Sequence, residues 1–267
     1  MGLSLDEIKR YSRQLVLPDF GSREQNRLKN AKVAVTGAGG LGCPVSTNLT
    51  LAGVGEIVLF DMDEVDLTNL NRQFLYTPAD VGKKKAELAA KRLSDLNPEI
   101  NVSAVTEMIT YDNAFDLLKG FDAVVDGTDN FPVRYAVNDA CAVNKVPLFH
   151  GAVLMFEGRA ISIIPGETAC FRCIFPEAPP AGMVPTCREA GVFGSMTALI
   201  GSIQASEATR YLAGMDIGLK NTLLVINADT MDFQKINIHK REDCTACGRE
   251  FIPKPVGGTV CADRIEG

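Results

Sequence analysis

The run Lys32-Val-Ala-Val-Thr-Gly-Ala-Gly-Gly-Leu-Gly42 decides the fold class. It opens as a short apolar stretch and breaks into glycines. A segment with Pro44 near its start and Val45, Leu49 and Leu51 inside it follows. That order predicts a strand, a tight glycine turn and a helix. Outward from it, Glu56-Ile-Val-Leu-Phe60 predicts a second strand ending at Asp61. Residues 80–96 carry Ala86, Ala89, Ala90, Leu93 and Leu96 on one helical stripe. Residues 102–105 and 123–126 predict further strands, and 132–144 a helix. Strand and helix alternate throughout this half, so the expected fold is α/β: a Rossmann-like, doubly wound, mostly parallel sheet.

Before this core, residues 4–17 show helical spacing in Leu5, Ile8, Tyr11 and Leu15. After Pro147 the character changes. Residues 151–164 predict two strands, a hairpin around Glu157-Gly158. Residues 175–190, with Pro176, Pro179, Pro180 and Pro185, predict a loop, and 194–212 a helix. Residues 223–226 and 233–238 predict late antiparallel strands that extend the same sheet. No linker separates independent units, so 1–267 is expected to be one domain, with 250–267 an unassigned tail.

With 27 Lys+Arg against 33 Asp+Glu and a formal charge of −6, the chain is a poor candidate for binding nucleic acid through bulk positive charge. The most apolar long stretch, 191–212, carries Gln204, Glu207 and Arg210, so no membrane span is expected. The N-terminus has neither the basic start nor the apolar core of a signal peptide, and a cytoplasmic protein is expected. There, eight cysteines point to metal or reactive thiols rather than disulfides.

Cys170-x-x-Cys173 and Cys244-x-x-Cys247 can place four thiolates around one Zn²⁺. With every position filled by sulfur, no place remains for water, and the role is structural: a staple across about 70 intervening residues. Gly37-x-Gly39-x-x-Gly42 between strand and helix is a phosphate-binding turn, and Asp61 lies where a carboxylate accepts from a ribose. Alone, that pair suits NAD or FAD. Asn69, Arg72, Gln73 and Lys85 follow immediately, and this polar, cationic group suits a triphosphate. Asp126 and Asp129, at the end of another strand, can hold Mg²⁺ or cap the next helix. Cys187, beside Arg188 in the Pro-rich loop, is a candidate nucleophile. His150 and His239 are expected to be structural.

Several blocks together resemble the ThiF/MoeB/HesA family, prokaryotic relatives of ubiquitin-activating enzymes. They are Arg10-Tyr-Ser-Arg-Gln14, Gly37-Ala-Gly-Gly-Leu-Gly42, Asp61-Met-Asp-Glu-Val-Asp-Leu-Thr-Asn-Leu-Asn-Arg-Gln73, Asp126-Gly-Thr-Asp-Asn130, the paired Cys-x-x-Cys and Thr186-Cys-Arg-Glu-Ala-Gly-Val192. The likeness runs over 4–249. It implies an ATP-dependent adenylyltransferase that activates the C-terminal glycine of a ubiquitin-like sulfur carrier protein ending in Gly-Gly. By that resemblance, Gly39 and Gly40 pass along the phosphates, and Asp61 binds the ribose. Asn69, Arg72, Gln73 and Lys85 hold the triphosphate, and Asp129 the Mg²⁺. Arg13 reaches the ATP of the partner in a homodimer. Cys187 matches a loop cysteine that joins the carrier covalently in some members and is dispensable in others. No rhodanese domain is expected, and sulfur is expected from a separate persulfide donor. The rivals are a same-fold enzyme adenylating a tRNA-bound carboxylate or a peptide, an NAD-dependent dehydrogenase, and a nucleotide-binding adaptor.

Overall fold

The computed structural model describes residues 2–180, 183, 187–252, 255 and 256, apart from the side chains of Cys187 and Arg188. Eight strands form one sheet in the order β3-β2-β1-β4-β5-β6-β7-β8. They are β1 Lys32–Thr36, β2 Glu56–Phe60, β3 Asn101–Val105, β4 Ala123–Asp126, β5 Leu148–Leu154, β6 Glu157–Ile163, β7 Thr222–Asn227 and β8 Asp232–Asn237. Strands β3 to β5 run parallel and β5 to β8 antiparallel, as the sequence predicts. Strand order reverses between β1 and β4, and that edge is where an open α/β sheet leaves a crevice at its strand C-termini.

The pleat sorts side chains onto two cores. Val33 and Val35 of β1 and Ile57 and Leu59 of β2 pack with helices Gly42–Ala52, Lys85–Leu96 and Gly194–Ala213. Ala34, Val58 and Val124 point the other way, onto helix Phe131–Asn144. A strand buried on both faces must be apolar at consecutive positions, which is why these strands read as continuous runs. Pro132 stands in the first turn of Phe131–Asn144, where a missing N–H costs nothing, and the Asn130 carboxamide caps that helix by accepting from Val133 N at 3.1 Å.

Three predicted elements differ. The helix expected over 80–96 begins only at Lys85, after a 3₁₀ turn at Pro78–Asp80 and a left-handed Gly82 (φ +83°). Residues 83–85 instead bond backbone to backbone with 63–65 (Val65 N to Lys83 O, 2.9 Å; Lys85 N to Asp63 O, 3.0 Å). Leu96, placed on the apolar stripe, is exposed. The N-terminal helix is broken at Tyr11 into Leu5–Arg10 and Ser12–Leu15, because the Tyr11 ring is buried and its hydroxyl accepts from Asn97. The hairpin between β5 and β6 turns at Met155-Phe156, not at Glu157-Gly158. The helix Ser22–Asn30 has no counterpart in the sequence-based expectation.

One buried ion pair ties the second core together. Arg172 donates to both carboxylate oxygens of Asp139 (2.7–3.1 Å) and stacks 4.6 Å over Tyr135. The adjacent Asn138 accepts from Phe171 N. Both ions lie out of solvent, so removing one strands the other. Asp139→Ala is expected to lose about 3–5 kcal/mol in urea unfolding with zinc saturating, whereas the apolar pair Asp139→Leu/Arg172→Met recovers most of that loss. Equal stability of Asp139→Ala and wild type would contradict this.

Candidate functional site

A cavity of about 780 Å³ opens at the C-terminal ends of β1, β2 and β4. The glycine turn forms its floor. Gly37 takes φ +90°, and a Cβ there would meet the Gly127 carbonyl oxygen at 2.9 Å; a Cβ at Gly42 would meet the Gly37 carbonyl oxygen at 1.8 Å. These two glycines make the turn possible. Gly39 and Gly40 face the cavity, where an added Cβ would meet only the Gln73 or Thr197 side chain. Backbone can therefore lie against a ligand along 39–40.

The walls gather Asp61, Asn69, Arg72, Gln73, Lys85 and Asp129, residues that span both ends of the parallel half in sequence. Asp61 is fixed by two backbone donors, Ala38 N at 2.7 Å and Asp63 N at 2.8 Å. Burial pushes its carboxyl pKa up, against the pull of Lys85 and those two amides. Lys85 is buried, with Nζ 3.5 Å from Asp63 Oδ2. It reaches this wall because the helix starts late: the pairing of 83–85 with 63–65 sets it beside Asp61 and Asp63. Gln73 is buried, and its Oε1 has no hydrogen-bond partner among the described residues, which leaves an acceptor for a ligand. Arg72 donates to Thr68 O and Asn71 Oδ1. Asp129 is exposed at the cavity mouth.

One candidate carboxylate does not join this set. Asp126 cannot serve as a second carboxylate for Mg²⁺, because it is buried and its oxygens are already occupied. Oδ1 accepts from Thr36 Oγ1 (3.0 Å), Thr128 N (3.0 Å) and Thr128 Oγ1 (2.7 Å), and Oδ2 takes the His150 Nδ1 contact at 2.8 Å. Burial alone would raise its pKa, but these bonds hold the carboxyl below the ordinary range, and burial pushes the His150 imidazole below its own ordinary pKa. Arg13 is exposed and lies away from the cavity of its own chain. The side chain of Cys187 lies outside the described residues. Two residues that the sequence pattern does not single out do line the cavity, Asp63 and Arg134. Arg134 donates to the Thr128 carbonyl (2.8 and 3.2 Å). Its only sequence signal is its place in the first turn after the Asn130 cap.

Across the second core, Cys170, Cys173, Cys244 and Cys247 come together, with all four sulfurs within 4.8 Å of one another. The contacts are 3.5 Å for 170–244, 3.4 Å for 173–247 and 3.9 Å for 170–173. Four thiolates at a zinc–sulfur distance of about 2.3 Å stand about 3.8 Å apart, so the cluster is compatible with a tetrahedral zinc ion. The knuckle rests on helix Phe131–Asn144 through Arg172 and Asp139.

A glycine turn, a buried carboxylate at Asp61, cations on the same cavity wall and a remote four-cysteine cluster mark an α/β protein with a nucleotide-type cavity at the switch point of its sheet. The ThiF family pattern matches residues 11–246, and the chain belongs to the ThiF family. It is 45% identical over 250 residues to a sulfur carrier protein adenylyltransferase of Thermus thermophilus, covering 92% of each chain. It is 42% identical to a SAMP-activating enzyme E1 of Haloferax volcanii, covering 93% of this chain and 92% of that one. It is also 44% identical to an adenylyltransferase and sulfurtransferase MOCS3 of Culex quinquefasciatus, of which it spans 56%. Among solved structures, E. coli MccB with MccA-N7isoASN superposes with a TM-score of 0.80 at 27% identity, over 90% of this chain and 75% of that one.

Two outcomes test the site. Cys170→Ser is expected to lose zinc and to lower the melting temperature; a folded, zinc-free variant melting like wild type would refute the staple. A carboxyl with a raised folded pKa takes up its proton in the folded state first, so protonating Asp61 does not itself unfold the protein. It would weaken the acceptor that the sequence pattern assigns to a ribose. Nucleotide affinity is therefore expected to fall on acidification, starting above the ordinary Asp range near about 4 and ahead of the unfolding transition. Coincident loss of binding and circular dichroism would speak against Asp61.

Proposed function

We propose that residues 4–249 form one adenylation unit that uses ATP to activate the C-terminal glycine of a ubiquitin-like sulfur carrier protein ending in Gly-Gly. The observation that carries this is the convergence of Asp61, Asn69, Arg72, Gln73, Lys85 and Asp129 over the 39–40 backbone. The carrier's terminal carboxylate attacks the α-phosphorus of ATP. A carboxylate–phosphorus bond forms, the bond to the β-phosphate oxygen breaks, and pyrophosphate departs with the electron pair. The nucleophile is already ionised, so no general base is needed.

What the chain supplies is alignment and charge neutralisation at the leaving group. Asp61 orients the ribose, Gly39 and Gly40 let the phosphates approach backbone N–H groups, and Arg72 and Lys85 face the charge that develops on pyrophosphate. Asp129, exposed and acidic at the mouth, would hold Mg²⁺, which neutralises phosphate charge when bound. Arg13, away from its own cavity, is free to reach the ATP of a partner in a homodimer. The acyl-adenylate would then be consumed by a persulfide from a separate protein, with or without a covalent link at Cys187. Among the described residues no helix is long and apolar enough to cross a membrane, in keeping with a cytoplasmic reaction.

Carrier-dependent pyrophosphate–ATP exchange tests this. Exchange is expected only with a carrier that keeps its terminal glycine. Exchange supported by tRNA or a peptide instead would move the substrate to those classes. Asp129→Ala is expected to abolish exchange while zinc content and fold persist. Arg72→Ala should cost on the order of 3 kcal/mol in the transition state. Normal turnover in Asp129→Ala would remove that residue from the machinery.

A further inference from the structure

His150 and Asp126 are a buried titratable pair that the proposed reaction does not use, yet their placement bears directly on the cavity. Thr36, Asp126 and His150 are neighbours across three adjacent strands: Thr36 pairs with Asp126 between β1 and β4, and Asp126 with His150 between β4 and β5. All three are buried. Thr36 is the last residue before the glycine turn, and Asp126 the last before the turn that carries Asp129. The two turns touch. Gly127 N donates to Thr36 O at 2.8 Å, and a Cβ on Gly37 would strike the Gly127 carbonyl.

One carboxylate therefore holds both turns. Its Oδ1 takes Thr36 from the glycine-turn side and both Thr128 donors from the Asp129 side. Its Oδ2 faces His150, and since an ionised carboxylate only accepts, Nδ1 carries the proton. The ring itself is packed against Phe171 at 4.8 Å, so it has little room to turn away. Without His150 an oxygen of a fully enclosed carboxylate lacks its donor, which favours protonation or reorientation of the group that spaces the two turns.

We propose that His150, acting through Asp126, is a positioning residue that sets the separation between the glycine turn and the Asp129 turn, and with it the affinity for the pyrophosphate part of Mg·ATP. This rests on the reading of the cavity as an ATP site, but not on the identity of the carrier. The test is equilibrium binding of Mg²⁺ with a non-cleavable α,β-methylene ATP, and separately of AMP, without any carrier. His150→Leu should weaken the ATP analogue about tenfold or more, while the affinity for AMP, which lacks the pyrophosphate, moves less than about threefold. His150→Asn, whose amide can donate near the Nδ1 position, should restore the analogue to within about threefold of wild type. Thr36→Val removes a second donor to the same carboxylate at nearly constant shape and should give the same selective loss, which keeps the idea testable if His150→Leu does not fold. Wild-type analogue binding in folded His150→Leu or Thr36→Val, or an equal loss for AMP, would overturn the proposal. Failure of wild type to bind the analogue would overturn both it and the nucleotide reading; binding without carrier-dependent exchange would count only against the carrier.

Discussion

Where β1 and β4 end side by side, two backbone turns meet at contact distance, and both lack side chains at the point of contact. Gly37 lies against the carbonyl of Gly127, and Gly127 N is bonded to Thr36 O. Everything in the cavity is placed relative to this junction. The glycine turn leads into helix Gly42–Ala52, the other turn into helix Phe131–Asn144, and the two helices lie on opposite faces of the sheet. A methyl group at the junction would force the turns apart, and with them the 39–40 backbone from Asp129.

The second face explains how a remote four-cysteine cluster belongs to the same molecule. Helix Phe131–Asn144 begins at the Asp129 turn and carries Asn138 and Asp139, which hold Phe171 and Arg172 inside the first Cys-x-x-Cys. The second Cys-x-x-Cys follows β8, so the cluster draws the end of the antiparallel extension onto that helix. Burying Arg172 and Asp139 is costly in itself. The bidentate geometry and the stack on Tyr135 offset that cost and fix the orientation of the knuckle.

Much of the fold was legible because its signals are local. Apolar runs at β1, β2 and β4, the glycine turn, the Pro132 helix start and the strand–helix alternation each reflect physics within a few residues. Of the candidate site, Asp61, Asn69, Arg72, Gln73, Lys85 and Asp129 were legible as chemistry in a particular order, and the structure brings them to one wall. Asp126 could be read either as a second carboxylate beside Asp129 or as a helix cap, and the structure gives it neither place. In sequence it is one of two aspartates three positions apart, and only the cross-strand neighbours Thr36 and His150 reveal that its oxygens are occupied. Lys85 is legible as one of the cations that follow Asp61, but not as buried; its burial depends on residues 83–85 pairing with 63–65, an association across about 20 residues that periodicity does not report.

Fold class, the glycine turn and the four-cysteine set follow from the residues alone, because backbone conformation at glycine and proline and the softness of thiolate ligands are properties of residue types. Tertiary structure alone decided which carboxylate faces the cavity and which is enclosed, where the lysine-bearing helix starts, and that Arg13 stands away from its own cavity. Those outcomes depend on which strands become neighbours and on which face of the pleat each side chain emerges. Register across a parallel sheet is set by the packing of both cores at once, and no single stretch of residues contains that information.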